Sequence, residues 1–158
     1  MPAKSPTLRM YERFAAMPGG RAMFSRALCF RAPYFQTIRP RVETLEPTRS
    51  VWHMKKRRAV ENHIGTVHAL AMGNLCEIAA GTLMEAGLPA SKRWIPKSMT
   101  IDYLAKANTD LVGEATHDAL DSAEGDVPVV VTVRDKSGTA VVQATITMFV
   151  SAKKAKST

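Results

Sequence analysis

Six polar or turn-forming residues lie close enough in the chain to build one chemical site. Asn62, His63, Gly65, Thr66 and His68 form a turn-like stretch, and Glu77 follows within the next few helical turns. Val67, Leu70, Ala71, Leu75, Ile78, Ala79, Thr82 and Leu83 recur at helical spacing, which predicts one long helix over about 66–87. Thr66 is its expected N-cap, and Gly87-Leu88-Pro89 is its expected stop. Ala69, Gly73, Cys76 and Ala80 make a second stripe of small residues, so the helix should be buried on most sides. Glu77 falls between the two stripes. A mid-helix glutamate is ordinarily solvated or paired, and one held between buried faces is a candidate for proton-transfer chemistry.

Other chemistries are absent from the chain. There is no Gly-x-Ser-x-Gly elbow, phosphate loop, dinucleotide-binding glycine pattern or His-Glu-x-x-His helix. The four histidines, His53, His63, His68 and His117, lack metal-ligand spacing, and no metal is expected. Cys29 and Cys76 fall in helical patterns and read as free thiols of a reducing compartment, which points to the cytoplasm.

The chain has 158 residues, 46% hydrophobic and 23% charged, with a net charge of +8. That is the composition of a globular domain, and no apolar run is long enough to span a membrane. The basic residues are dispersed, from Arg9, Arg13, Arg21, Arg26 and Arg31 to Lys153, Lys154 and Lys156. With no nucleic-acid motif beside them, they favour a solvated basic surface over a nucleic-acid groove.

The elements that must hold the site follow from patterning. Helices are expected from Pro6 to Ala16 and from Arg21 to Arg31, as an N-terminal helical extension over 1–36. This arginine-rich segment faintly resembles a mitochondrial presequence, but its two helix breaks and apolar content favour helices that cap the domain. Strands are expected at Ile38–Leu45, Ser50–Arg57, Trp94–Leu104, Leu111–Ala119, Val127–Arg134 and Thr139–Val150. A basic tail at 151–158 reads as disordered. Six strands with one helix between the second and third predict an α+β domain over 37–150. Its antiparallel sheet should curve around the long helix.

Asn62-His63-Ile64-Gly65-Thr66-Val67-His68-Ala69, followed by Glu77, resembles the signature of hotdog-fold acyl-CoA thioesterases of the phenylacetate-pathway type. Pro33-Tyr34-Phe35, Trp94-Ile95-Pro96-Lys97 and the run from Ile101 to Ala107 resemble a branch with extra N-terminal helices. The resemblance implies that the Ala69 N–H polarises a thioester carbonyl and that Glu77 activates water or attacks directly. It implies that Asn62 positions the water or carboxylate, and that His68 shapes the helix start. His63, Gly65, Thr66, Tyr34 and Phe35 would contact the substrate, with Arg57 and Arg58 near the coenzyme A phosphates. Coenzyme A enters as part of an acyl-CoA or other acyl thioester substrate, and no separate cofactor is implied. Ala69 replaces the family's glycine, and Glu77 is one methylene longer than the frequent aspartate.

Glu77 stands eight residues beyond Ala69, roughly 12 Å along a helix axis. The two therefore cannot serve one carbonyl within one chain, and the resemblance requires a homodimer, or a tetramer built from dimers. Two other readings remain open. One is a hydroxyacyl hydratase or dehydratase using His63 with Glu77, and the other is a non-catalytic acyl-ligand-binding dimer.

Overall fold

The computed structural model describes residues 4–154. The apolar periodicity that follows the polar stretch forms the 19-residue helix α3, Ala69–Gly87, preceded by two shorter helices, α1 (Pro6–Ala15) and α2 (Gly20–Arg31). The strands are β1 (Arg41–Glu46), β2 (Arg49–Met54), β3 (Lys92–Tyr103), β4 (Leu111–Thr116), β5 (Gly125–Arg134) and β6 (Ala140–Ala152). They form one sheet in the order β1-β2-β4-β5-β6-β3, and every pairing is antiparallel. This is the expected α+β architecture, with a curved sheet around a long helix and N-terminal helices beside it.

Most of α3 is buried, including Leu75, Ile78, Ala79 and Leu83. These meet the inward residues of the sheet, Leu111, Val129, Val131, Ile146 and Met148, all fully buried. Each such large side chain contributes roughly 1.5–3 kcal/mol by leaving water. A polar pin fixes the helix on β2. The Trp52 indole N–H faces Ser50 Oγ at 3.1 Å and Thr82 Oγ1 at 2.9 Å, and Thr82 donates to the Ile78 carbonyl at 2.6 Å. Val129 and Val131 point inward on β5 and Val130 outward, as alternation on an interior strand requires.

The two sheet edges differ. At β1 the Val42 N–H donates to Ser25 Oγ of α2 at 2.9 Å, and the Tyr11 hydroxyl of α1 donates to the Glu43 carbonyl at 3.1 Å. The helices thus cover that edge, and Leu8, Tyr11 and Phe24 enter the same core as the sheet. At the other edge β3 pairs only with β6 among the described residues, and its Ile95, Met99 and Tyr103 are exposed. Pro96 sits beside a register shift on this strand, a position where a missing N–H costs no ladder bond.

Several boundaries differ from those read in the sequence. Ile38 ends a 3-10 turn, Pro33–Ile38, because Pro33 starts a tight turn before β1. Arg57 lies beyond β2, which stops at Met54 before a second short turn at Arg58–Val60. Ser151 and Ala152 extend β6 instead of opening a tail, and the Lys153 N–H donates to the Ser91 carbonyl at 2.8 Å. Of the expected tail, residues 155–158 lie outside the described residues, as do residues 1–3 of the N-terminal extension. Gly87 needs to be glycine for packing: a Cβ there would lie 2.4 Å from the Pro47 carbonyl oxygen.

Candidate active site at the start of the long helix

The loop before α3 is knitted by Asn62. Its Oδ1 accepts from the N–H groups of Ile64 and Thr66, both at 3.1 Å, and its Nδ2 donates to Thr66 Oγ1 at 2.7 Å. The backbone closes the same ring, with the Asn62 N–H on the Thr66 carbonyl at 2.8 Å. Gly65 takes a φ of +78°, a conformation in which any Cβ is strained. The Asn62 side chain thus has most of its hydrogen-bonding capacity spent inside the loop.

Thr66 is buried in this ring and is not the helix cap. The N-cap is His68, whose Nδ1 accepts from the Leu70 N–H at 3.1 Å. That bond requires a neutral imidazole with its proton on Nε2. Ala69 is consequently the first helical residue. Its N–H has no acceptor among the described residues, as expected for a first-turn amide. At the positive end of a 19-residue helix, that N–H suits a developing negative charge. Tyr103, at the end of β3, anchors the same residue from the other side by donating to the Ala69 carbonyl at 3.1 Å. Although much of the Tyr103 ring is exposed, partial desolvation of its hydroxyl and the neighbouring Cys76 push its pKa upward, so the phenol keeps the proton it donates.

One stripe of α3 runs along β3. Gly73 faces Ile101, where a Cβ would come within 3.2 Å, and Gly81 faces Trp94 at 3.1 Å. Glu85 Oε1 accepts from the Trp94 indole N–H at 2.9 Å. Glu77 stands on this stripe, one turn from each glycine. It is half-buried and has no hydrogen bond or ion pair among the described residues. The adjacent Cys76 is fully buried, and burial pushes its thiol pKa up to about 12. It is therefore no thiolate nucleophile at neutral pH.

The remaining candidates divide. Tyr34 lines a cavity of about 170 Å³ together with Thr37, Val60, His68, Ala71 and Asn74. Phe35 instead packs against the core. Arg57 is half-buried, with Nη2 on the Thr37 carbonyl, while Arg58 is exposed. His63 is exposed at the loop tip with no partner among the described residues. A larger depression of about 690 Å³ on α1 is lined by Arg9, Arg13, Met10 and Phe14, but has no acid, base or nucleophile. Among the described residues no cluster of His, Cys, Asp and Glu could hold a metal ion, and no helix is long and apolar enough to cross a membrane.

Asn74 and Tyr103 did not stand out in the sequence. Their partners are distant in the chain, and each follows an ordinary helical or strand pattern. Asn74 carried one usable signal, being a polar residue beside the apolar stripe of an otherwise buried helix.

A six-stranded antiparallel sheet in this order, curled around one long helix, is the hotdog fold. The chain belongs to the family described as Domain of unknown function (DUF4442), which matches residues 20–150 and so takes in α2 as well as the sheet. A structural-genomics crystal structure is 39% identical, with a TM-score of 0.84 over 93% of this chain and 99% of that one. A Pseudomonas aeruginosa protein of unknown function, called a probable thioesterase, is 22% identical with a TM-score of 0.75, over 87% and 97% of the two chains. A Haemophilus influenzae thioesterase is 12% identical with a TM-score of 0.71, over 80% and 87%. At the last two identities the likeness concerns the fold. No curated protein matches the chain.

Proposed function

We propose that the protein hydrolyses acyl thioesters, with coenzyme A thioesters as the substrate class, and works as a homodimer. The observation that carries this reading is Glu77. It is a half-buried carboxylate without a partner among the described residues, in a chain that carries 22 lysines and arginines against 14 acids. A purely structural carboxylate in so basic a chain has abundant cations to pair with.

In this reading Glu77 takes a proton from water as the water oxygen attacks the thioester carbonyl carbon. The carbonyl oxygen becomes an oxyanion and is stabilised by the Ala69 N–H of the second chain. Collapse breaks the C–S bond, and the departing thiolate takes up the proton, releasing an acid and a free thiol. Asn62 builds the loop that places the helix start, and its remaining Nδ2 hydrogen is available to a water. His68 sets the first turn. The open β3 edge supports a dimer, because an uncovered strand with apolar neighbours is a template for pairing. The free buried thiols Cys29 and Cys76 fit a cytoplasmic setting. The dehydratase alternative finds less support, since no group among the described residues orients the exposed His63 as a base.

The test is a panel of acyl-CoAs with free-thiol detection. Glu77→Gln is expected to lower turnover by ~10²–10⁴-fold while the dimer stays folded. Undiminished activity in that variant would remove Glu77 as the base. Tight binding of acyl-CoAs with no turnover by the wild type would instead favour the non-catalytic binder.

A further inference from the structure

Asn74 is an anomaly that hydrolysis by Glu77 and Ala69 does not use. It is only 5% exposed, and its Oδ1 is one of two buried side-chain polar atoms without a partner among the described residues. The other is Arg57 Nε. Both residues hold the same 3-10 turn: Asn74 Nδ2 donates to Thr37 Oγ1 at 3.0 Å, and Arg57 Nη2 donates to the Thr37 carbonyl. Thr37 cannot satisfy Asn74 Oδ1, because its hydroxyl hydrogen is committed to the Tyr34 carbonyl at 2.8 Å. The amide orientation follows from that commitment, with Nδ2 facing the Thr37 lone pair.

An amide oxygen buried without a donor destabilises the protein by itself, and native chains seldom retain one without a use. Asn74 lines the cavity of about 170 Å³ at the start of α3, room for a short chain of atoms on the scale of about 30 Å³ per water. Asn74 also precedes Glu77 by three residues, so the two side chains are neighbours on the helix surface.

We propose that Asn74 is a specificity-determining residue of this site, its Oδ1 accepting a hydrogen bond from an O–H or N–H of the acyl thioester seated in that cavity. The proposal rests on the acyl-thioester reading above. Such a substrate can present the required donor from either side of the thioester: a hydroxyl on the acyl chain, or an amide N–H or hydroxyl of the coenzyme A moiety.

The experiment reads affinity, so it does not depend on Glu77. Two non-cleavable coenzyme A thioethers, S-butyl and S-(3-hydroxybutyl), are titrated calorimetrically into the wild type and into Asn74→Leu, with Asn74→Ala as a second variant should leucine disturb the fold. Roughly tenfold weaker binding of the hydroxylated ligand alone assigns the donor to the acyl chain. An equal loss for both ligands assigns it to the coenzyme A moiety that they share. In either case the variant should stay folded with only a small fall in melting temperature, because losing the unsatisfied acceptor offsets losing the Nδ2 bond to Thr37 Oγ1. Unchanged affinities, or a lower melting temperature with unchanged affinities, would overturn the proposal and leave Asn74 a structural residue. If the wild type binds neither thioether, the acyl-thioester reading falls, and this one with it.

Discussion

Ala69 allows the oxyanion role to be separated from folding by one substitution, Ala69→Pro. Proline removes the backbone N–H and fixes φ near −65°, which suits the first position of a helix. The structure offers no obstacle upstream: His68 has φ −65° and ψ 140°, an extended conformation compatible with a following proline. The Ala69 N–H has no protein acceptor to lose among the described residues, and the Tyr103 bond falls on the Ala69 carbonyl, which proline retains. Stability should therefore stay within about 1 kcal/mol of wild type, or rise slightly as the unfolded chain loses freedom. Turnover should fall by ~10²–10³-fold, corresponding to about 2.7–4 kcal/mol of lost transition-state stabilisation for one oxyanion donor. Thermal melting and free-thiol release from acyl-CoA would be followed side by side, with Ala69→Gly as the variant that keeps the N–H. Full turnover in Ala69→Pro would refute the oxyanion role. A loss near 3 kcal/mol, as for a helix-interior proline, would refute the placement of Ala69 at the first position.

Two further outcomes follow from the core. Thr82→Val removes a hydroxyl that faces Trp52 Nε1 and Ser50 Oγ, and should destabilise the protein by about 1–3 kcal/mol in chemical denaturation. Cys76 gives an alkaline signature: its pKa is raised from 9.0 to about 12 in the folded state by burial. The native thiol keeps a proton that the unfolded chain releases, so this contribution is intact below pH 9 and is lost as pH rises toward 12. At the upper end the loss amounts to roughly 4 kcal/mol. Cys76→Ala should flatten the fall in denaturation midpoint over that window, and an unchanged pH profile would count against the burial argument.

Much of the fold is legible in the sequence because two periods dominate it. The 3.6-residue stripe through Leu75, Ile78, Thr82 and Leu83 and the two-residue alternation through Val142, Ala144, Ile146 and Met148 each have one stable solution. The sheet order is less legible: that β3 ends at an edge, beside β6, depends on which strands the helix and its crossover can reach. The cap is not legible because Thr66 is the better capping residue by type, yet Asn62 engages it in the loop and leaves the role to His68. Arg57 read as a strand residue because it continues a basic run, whereas its guanidinium reaches back to the turn at Thr37. The pairing of Asn62 with Thr66 was within reach of local reasoning. The convergence of Asn74, Thr37 and Tyr34, and of Tyr103 on Ala69, was not, since contacts between distant segments leave no spacing to read.

In the proposed mechanism each active site joins Glu77 of one chain to Ala69 of another. Mixing Glu77→Gln with Ala69→Pro after subunit exchange tests it directly. Random reassortment makes half the dimers mixed, and each mixed dimer regains one intact site out of two, so about a quarter of wild-type turnover should return from two inactive proteins. If subunits exchange and the mixture stays inactive, the site is not shared across the dimer and the proposed mechanism fails.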